Sequence, residues 1–142
     1  MPLLLEIVTP ERLAYSDSVD AVVLPGSEGE LGVLPHHAPL VTMLGIGELR
    51  IRKGGAEESF AIVGGFLQVR PDRVMVMAET ADLASEIDLE KAQQARREAE
   101  KVLEGASNDA VDLAAARAQL QQSLLRIRVA ERRHREGPRH RG

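Results

Sequence analysis

Cysteine and tryptophan are missing from the 142 residues, and the aromatics amount to Tyr15, Phe60 and Phe66. Without cysteine there can be no disulfide, no thiolate metal site and no cysteine nucleophile. With so few rings, a core has to be assembled from Leu, Ile, Val, Met and Ala. No apolar run approaches the ~18–20 residues that a membrane-crossing helix needs. The opening MPLLLEIVTPERL meets Glu6 and Pro10 too early for a secretory leader. There is no G-x-x-x-x-G-K-[ST] loop to cradle phosphates and no Gly-flanked serine elbow. Ser16, Ser18, Ser27 and Ser59 have no identifiable base, so the chain reads as catalytically silent.

What is present divides in two. Hydrophobic residues make up 44% and charged residues 28%, a globular composition. The net charge of −4 conceals 13 acidic and 6 basic side chains in residues 1–86, against 9 acidic and 12 basic in residues 87–142. Two parts that meet different surfaces would carry charge in this way.

Up to about residue 80 the apolar residues alternate: Leu3, Leu5 and Ile7; Leu49 and Ile51; Phe60 and Ile62; Leu67 and Val69; Val74 and Val76. A period of two marks half-buried strands. Pro25-Gly26, Gly29, Gly45, Gly47, Gly64-Gly65 and Pro71-Asp72 punctuate them as turn signals. Gly54-Gly55 between alternating runs is a hairpin signal. Short, closely spaced strands with no helical interval imply an antiparallel sandwich or barrel, and the missing βαβ rhythm argues against a dinucleotide fold.

From Ile87 the period lengthens. DLEKAQQARREAEKVLEG runs without proline or glycine up to Gly105, with Leu89, Ala92, Ala99, Val102 and Leu103 on one stripe. Asp88 is placed to cap its start, and Gly105 to end it in a left-handed conformation. Ser107-Asn108-Asp109 offers a second cap, before a helix with Leu113, Leu120, Leu124 and Ile127 as its stripe. Gly137-Pro138 closes that helix and leaves a basic tail. The fold class is therefore α+β: a β-sandwich domain over 1–84, then an antiparallel two-helix hairpin with its tail over 85–142. The second helix is rich in alanine, which buries little area at ~25 cal/mol per Å². A hairpin with such a seam is weakly tied to the sandwich and able to move.

His36-His37 lacks the third ligand that a zinc site requires, so no metal is expected. The cluster Arg126, Arg128, Arg132, Arg133, Arg135, Arg139 and Arg141 has no aromatic platform or reading motif beside it. Its plain role is to complement the dipole at a helix C-terminus, and nucleic acid is not an expected partner.

Residues 26–52, GSEGELGVLPHHAPLVTMLGIGELRIR, resemble the epsilon-subunit signature of F-type ATP synthases. FAIVGGFLQVRPDRVMVMAETA is similar to that family's G-G-F block and the A-E/D-T/S-A close of its sandwich. SEIDLEKAQQA is similar to the I/L-D-x-x-R-A start of its first C-terminal helix. In order, the pieces span about Leu4 to Arg133. The resemblance implies a rotor subunit of the central stalk. Its sandwich would bind the gamma subunit and the c-ring, and its hairpin would alternate between a folded state and an extended state that inhibits ATP hydrolysis in the alpha/beta hexamer. It assigns Ser27, Glu28, Glu30 and His37 to the c-ring, and Arg126, Arg128, Arg132 and Arg133 to a grip on the beta subunit. The resemblance also implies that ATP can bind between the folded helices. Here Asp82, Asp88 and Arg126 keep the pattern, but Lys91, Glu98 and Gln122 stand where arginines would be. Lysine lacks the bidentate fork, and Glu98 repels a triphosphate. ATP is expected to be at most a weak regulatory ligand, and no cofactor is expected. The place implied is the cytoplasmic face of a bacterial plasma membrane, peripheral through partners and without insertion.

Two readings from other classes stay open at this point. One is a free-standing nucleotide sensor that closes on its ligand. The other is a basic-tailed nucleic-acid adaptor, whose binding would depend steeply on salt.

Overall fold

The computed structural model describes residues 3–105 and 109–136, with side chains as far as Arg132. Among the described residues the chain forms eight strands, one 3-10 turn and two helices. These are β1 (Leu3–Val8), β2 (Leu13–Val19), β3 (Ala21–Gly26), β4 (Gly29–Val33), β5 (Leu40–Met43), β6 (Ile46–Lys53), β7 (Ala56–Arg70), β8 (Arg73–Leu83), the 3-10 turn Ala84–Glu86, α1 (Leu89–Glu104) and α2 (Ala110–Glu136).

The strands follow the order β2-β1-β8-β7-β6-β3-β4, with β5 also paired to β7. All pairings are antiparallel except β1 with β8. Those two strands open and close the sandwich, so no hairpin joins them and no turn dictates their relative direction. β7 carries the architecture. Its first half pairs with β6 up to Ile46↔Val63, and its second half pairs with β5 from Met43↔Phe66. One strand thus serves both layers, and Gly64-Gly65 makes the corner. Gly65 has φ +112°, and a Cβ there would lie 1.9 Å from the Met77 carbonyl oxygen. Only glycine fits. On the far side, Asp20, between β2 and β3, donates its N–H to Arg52 O of β6 at 2.8 Å, and Asp17 of β2 forms an ion pair with Lys53 of β6.

Every residue of the alternating runs is buried. Leu3, Leu5, Ile7, Leu49, Ile51, Phe60, Ile62, Leu67, Val69, Val74 and Val76 form one core with Val19, Val22, Leu24 and Val33. Gly54 and Gly55 have φ of 58° and 83° between Lys53 and Ala56, the two positive values that a two-residue hairpin turn of this type demands. Pro71-Asp72 likewise spans the paired Arg70 and Arg73. Pro25-Gly26 is different: both residues belong to β3, and the turn falls at Ser27-Glu28. Pro25 is tolerated because the ladder from β3 to β6 stops at Val23.

Asp88 caps α1 by accepting from Lys91 N–H at 3.1 Å. Gly105 ends the helix, but not in the left-handed conformation that a glycine there suggests. Its φ is −75° and its N–H still reaches Lys101 O at 2.8 Å, so the helical hydrogen bond continues through it. Asp109 caps α2, accepting from Val111 N–H at 2.8 Å. Ser107, Asn108 and the tail from Gly137 lie outside the described residues. α1 and α2 pack side by side, and a connection this short makes them antiparallel.

Candidate functional site

Where the hairpin meets the sandwich, α2 works with two faces. Ala116, Ser123 and Ile127 are buried on one, and Gln119 between them donates to Ala95 O of α1 at 3.1 Å, which fixes that face against α1. Ala92 and Ala99 are the buried residues of α1, so apart from Ile127 the seam is made of small side chains. Ser123 hides its hydroxyl by donating to Gln119 O at 2.6 Å. Leu125 and Val129 point the opposite way, into a small cluster with Ala61 of β7, Ala84 of the 3-10 turn and the half-buried Ile87. Leu124 falls between the two faces and is exposed, contrary to the single stripe expected of it. A stripe read at one period cannot show that the C-terminal half of α2 is covered on two sides.

Charges ring this dock. Arg126 Nε lies 2.9 Å from Asp82 Oδ2. Arg132 bonds Glu48 and lies 3.6 Å from Glu57. Glu48 is also 4.0 Å from Arg50, whose main partner is Glu30 at 3.2 Å. Arg128 lines a cavity of about 350 Å³ with Pro25, Gly26, Gly29, Glu30, Ile46, Gly47, Glu48 and Arg50. Of the four arginines assigned to a beta-subunit grip, Arg126 and Arg132 are thus engaged with the sandwich, while the side chain of Arg133 lies outside the described residues.

The four residues considered for ATP separate into two pairs. Asp82 and Arg126 neutralise one another across the dock. Asp88 spends its carboxylate on the Lys91 backbone, and both side chains are exposed at the start of α1. Glu98, farther along α1, is exposed as well.

Ser27, Glu28 and Glu30 share the exposed β3–β4 tip, and Ser27 N–H reaches Met43 O at 3.1 Å. His37 is not with them. It follows the far end of β4, about 13 Å away at ~3.3 Å per residue. There its Nδ1 lies 2.7 Å from Ala38 O, and the neighbouring His36 donates N–H to Pro71 O at 2.6 Å. His36 has φ 69°, an uncommon value for a side-chain-bearing residue.

One feature escaped the sequence reading. Cross-strand registers join Leu13↔Val8, Val8↔Met77, Met77↔Phe66 and Phe66↔Met43 into a row over β2-β1-β8-β7-β5. Leu13, Met43, Phe66 and Met77 are 57%, 59%, 39% and 37% exposed, and Val41 extends the row along β5. At ~4.8 Å per strand the row is about 20 Å long. Its signal is present in Val74-Met75-Val76-Met77-Ala78, where both alternating sets are apolar, a pattern of strands with both faces covered.

A sandwich with a docked helical pair and an open apolar row is the build of a subunit that works inside an assembly. The description "ATP synthase, Delta/Epsilon chain, beta-sandwich domain" matches residues 2–84, and "ATP synthase, Delta/Epsilon chain, long alpha-helix domain" matches residues 85–131. The chain belongs to the ATP synthase delta/epsilon chain family. It is similar to the ATP synthase epsilon chain of Dehalococcoides mccartyi, 46% identical over 129 residues, covering 91% of this chain and 92% of that one. The epsilon chain of Chloroflexus aggregans is 47% identical over 131 residues, covering 92% and 94%. Among solved structures, a chain of the Euglena gracilis mitochondrial ATP synthase (OSCP/F1/c-ring) superposes with TM-score 0.73 at 28% identity, covering 84% of this chain and 76% of that one. A chain of the Tetrahymena thermophila mitochondrial central stalk and c-ring shares the fold, with TM-score 0.58 at 15% identity over 92% and 97%.

Proposed function

We propose that this chain is a non-catalytic central-stalk (rotor) subunit of a bacterial F-type ATP synthase. It couples proton translocation to ATP synthesis and regulates ATP hydrolysis by moving its C-terminal hairpin. The observation that carries the reading is the apolar row from Leu13 to Met43, which the chain's own helices leave uncovered. A row of that length marks a docking face, and the gamma subunit is the partner it fits. The exposed tip with Ser27, Glu28 and Glu30, together with His37, meets the polar loops of the c-ring through pairs worth ~0–1 kcal/mol each.

The hairpin is a two-state element. Docked, it holds Arg126 and Arg132 against the sandwich. Released, it offers Arg126, Arg128, Arg132 and Arg133 to acidic surface on the beta subunit of the alpha/beta hexamer. ATP is a weak ligand or none, because Arg126 is already neutralised by Asp82. The chain has no active site of its own. Among the described residues no helix is long and apolar enough to cross a membrane, and its place is the cytoplasmic face of the plasma membrane, held there by partners.

The test is reconstitution. Mixed at micromolar concentration with gamma, the chain should elute as an equimolar complex, and Phe66→Glu with Met77→Glu should abolish the complex while leaving the circular dichroism intact. Failure of the unmodified chain to join gamma would overturn the assignment. A complex that survives both charges would remove the row from the interface.

A further inference from the structure

The ion pairs at the dock do not stop at the dock. From the β3–β4 tip, Glu30 holds Arg50 at 3.2 Å; Arg50 lies 4.0 Å from Glu48; Glu48 bonds Arg132 of α2; and Arg132 lies 3.6 Å from Glu57. The chain of charges therefore runs from an exposed tip, where the Glu30 side chain is 63% accessible, to a carboxylate that is only 12% accessible beneath the helix. Arg128 faces the same cavity. Three carboxylates thus oppose three guanidiniums.

We infer that this network is a relay through which a basic group bound at Glu30 loosens the hairpin. The physical step is competition for Glu48. While Glu30 holds Arg50, Glu48 is left to Arg132. When Glu30 is taken by an outside cation, Arg50 loses its main partner and turns to the carboxylate already 4.0 Å away. Arg132 then shares Glu48 with a second guanidinium and meets its repulsion. Both effects have the same sign, and both weaken the grip of the sandwich on α2. The outside cation is a basic side chain on a loop of the rotor ring. That last identification rests on the function proposed above, whereas the relay itself is internal to the chain.

The native chain has no cysteine, so a single introduced thiol reports without background. Ala84→Cys places the probe in the dock, and Ala78→Cys places one in the sandwich core. Glu30→Gln should raise the rate of thiol labelling at position 84 about two- to fivefold, the size of one partly exposed ion pair, and leave labelling at position 78 unchanged. In an Arg50→Met background the same substitution should have no effect at position 84, since the intermediate is gone. Equal labelling with and without Glu30→Gln, or an undiminished effect in the Arg50→Met background, would overturn the relay. Adding purified c-ring to the otherwise unaltered Ala84→Cys protein should speed labelling as Glu30→Gln does. If the isolated-chain results hold and the ring changes nothing, the relay stands and the ring is not its partner.

Discussion

Replacing Leu125 with alanine separates the docking of the hairpin from the folding of the sandwich. Leu125 is 2% exposed, and with Val129 it makes up nearly all the large apolar surface that α2 sets against Ala61 and Ala84. A leucine-to-alanine change in a deep core costs ~2–5 kcal/mol. Here the partners are alanines at the edge of the sandwich, where a hole opens to water and partly collapses. About 2–3 kcal/mol is therefore expected, roughly a 30- to 150-fold shift at 1.4 kcal/mol per decade. None of the dock residues belongs to the sandwich core, so the loss falls on docking. Hydrogen exchange followed by mass spectrometry should show faster exchange across the 3-10 turn and the first turn of α1. The melting temperature of the sandwich should fall far less than in Leu49→Ala, and Leu124→Ala, on the exposed face, should do almost nothing. Unchanged exchange together with a melting loss equal to that of Leu49→Ala would refute the separation.

Gly65→Ala should prevent the corner of β7 from forming, since left-handed strain of about 1–3 kcal/mol is added to a collision with the Met77 carbonyl; soluble, cooperatively melting protein from this variant would contradict the corner geometry. Tyr15 stacks edge-on to Phe60 at 5.8 Å, and burial, then the charges of Glu58 and Asp17, push its pKa from 10.0 up to about 12. The folded chain therefore keeps a proton that the unfolded chain releases, so stability is complete below about pH 10 and falls as pH rises toward about 12. Urea midpoints above and below about pH 10 should show this decline in the native chain and a shallower one in Tyr15→Phe. Calorimetric titration with ATP should give no micromolar binding, because the ligand would have to displace Asp82 from Arg126; a micromolar constant would show that the pair yields.

The strands were legible because alternation in a half-buried sheet is a direct consequence of pleat geometry, and each alternating pair read from the sequence is buried. β2 was not legible: Ser16, Asp17 and Ser18 make it a polar edge strand, recognisable only by its pairing with β1. The parallel register of β1 with β8 is a relation between residues some seventy positions apart, and local pattern carries no such information. Of the candidate site, sequence identified Arg126 and Asp82 as charges worth following but not that they face each other. It identified Glu30 but not its route to Arg132 through Arg50 and Glu48. Ion pairs of high sequence separation depend on strand order, which is settled only when the whole sandwich has formed.

The composition of the dock bears on how the hairpin can act as a switch. Two large apolar side chains contribute on the order of 1.5–3 kcal/mol each, and partly exposed ion pairs add ~0–1 kcal/mol apiece. The ion-pair figure is already net of the entropy of holding the side chains in place. The total is a few kcal/mol, a range in which a partner with modest differential affinity can invert a two-state population. A larger apolar contact would have locked α2 down, and a dock of ion pairs alone would have left it undocked. Setting alanines at positions 61 and 84 opposite Leu125 and Val129 holds the balance between those limits. By this reasoning Ala61→Leu would not strengthen the dock. The added bulk has no pocket to enter, and it would drive α2 away from the sheet as effectively as the loss of Leu125.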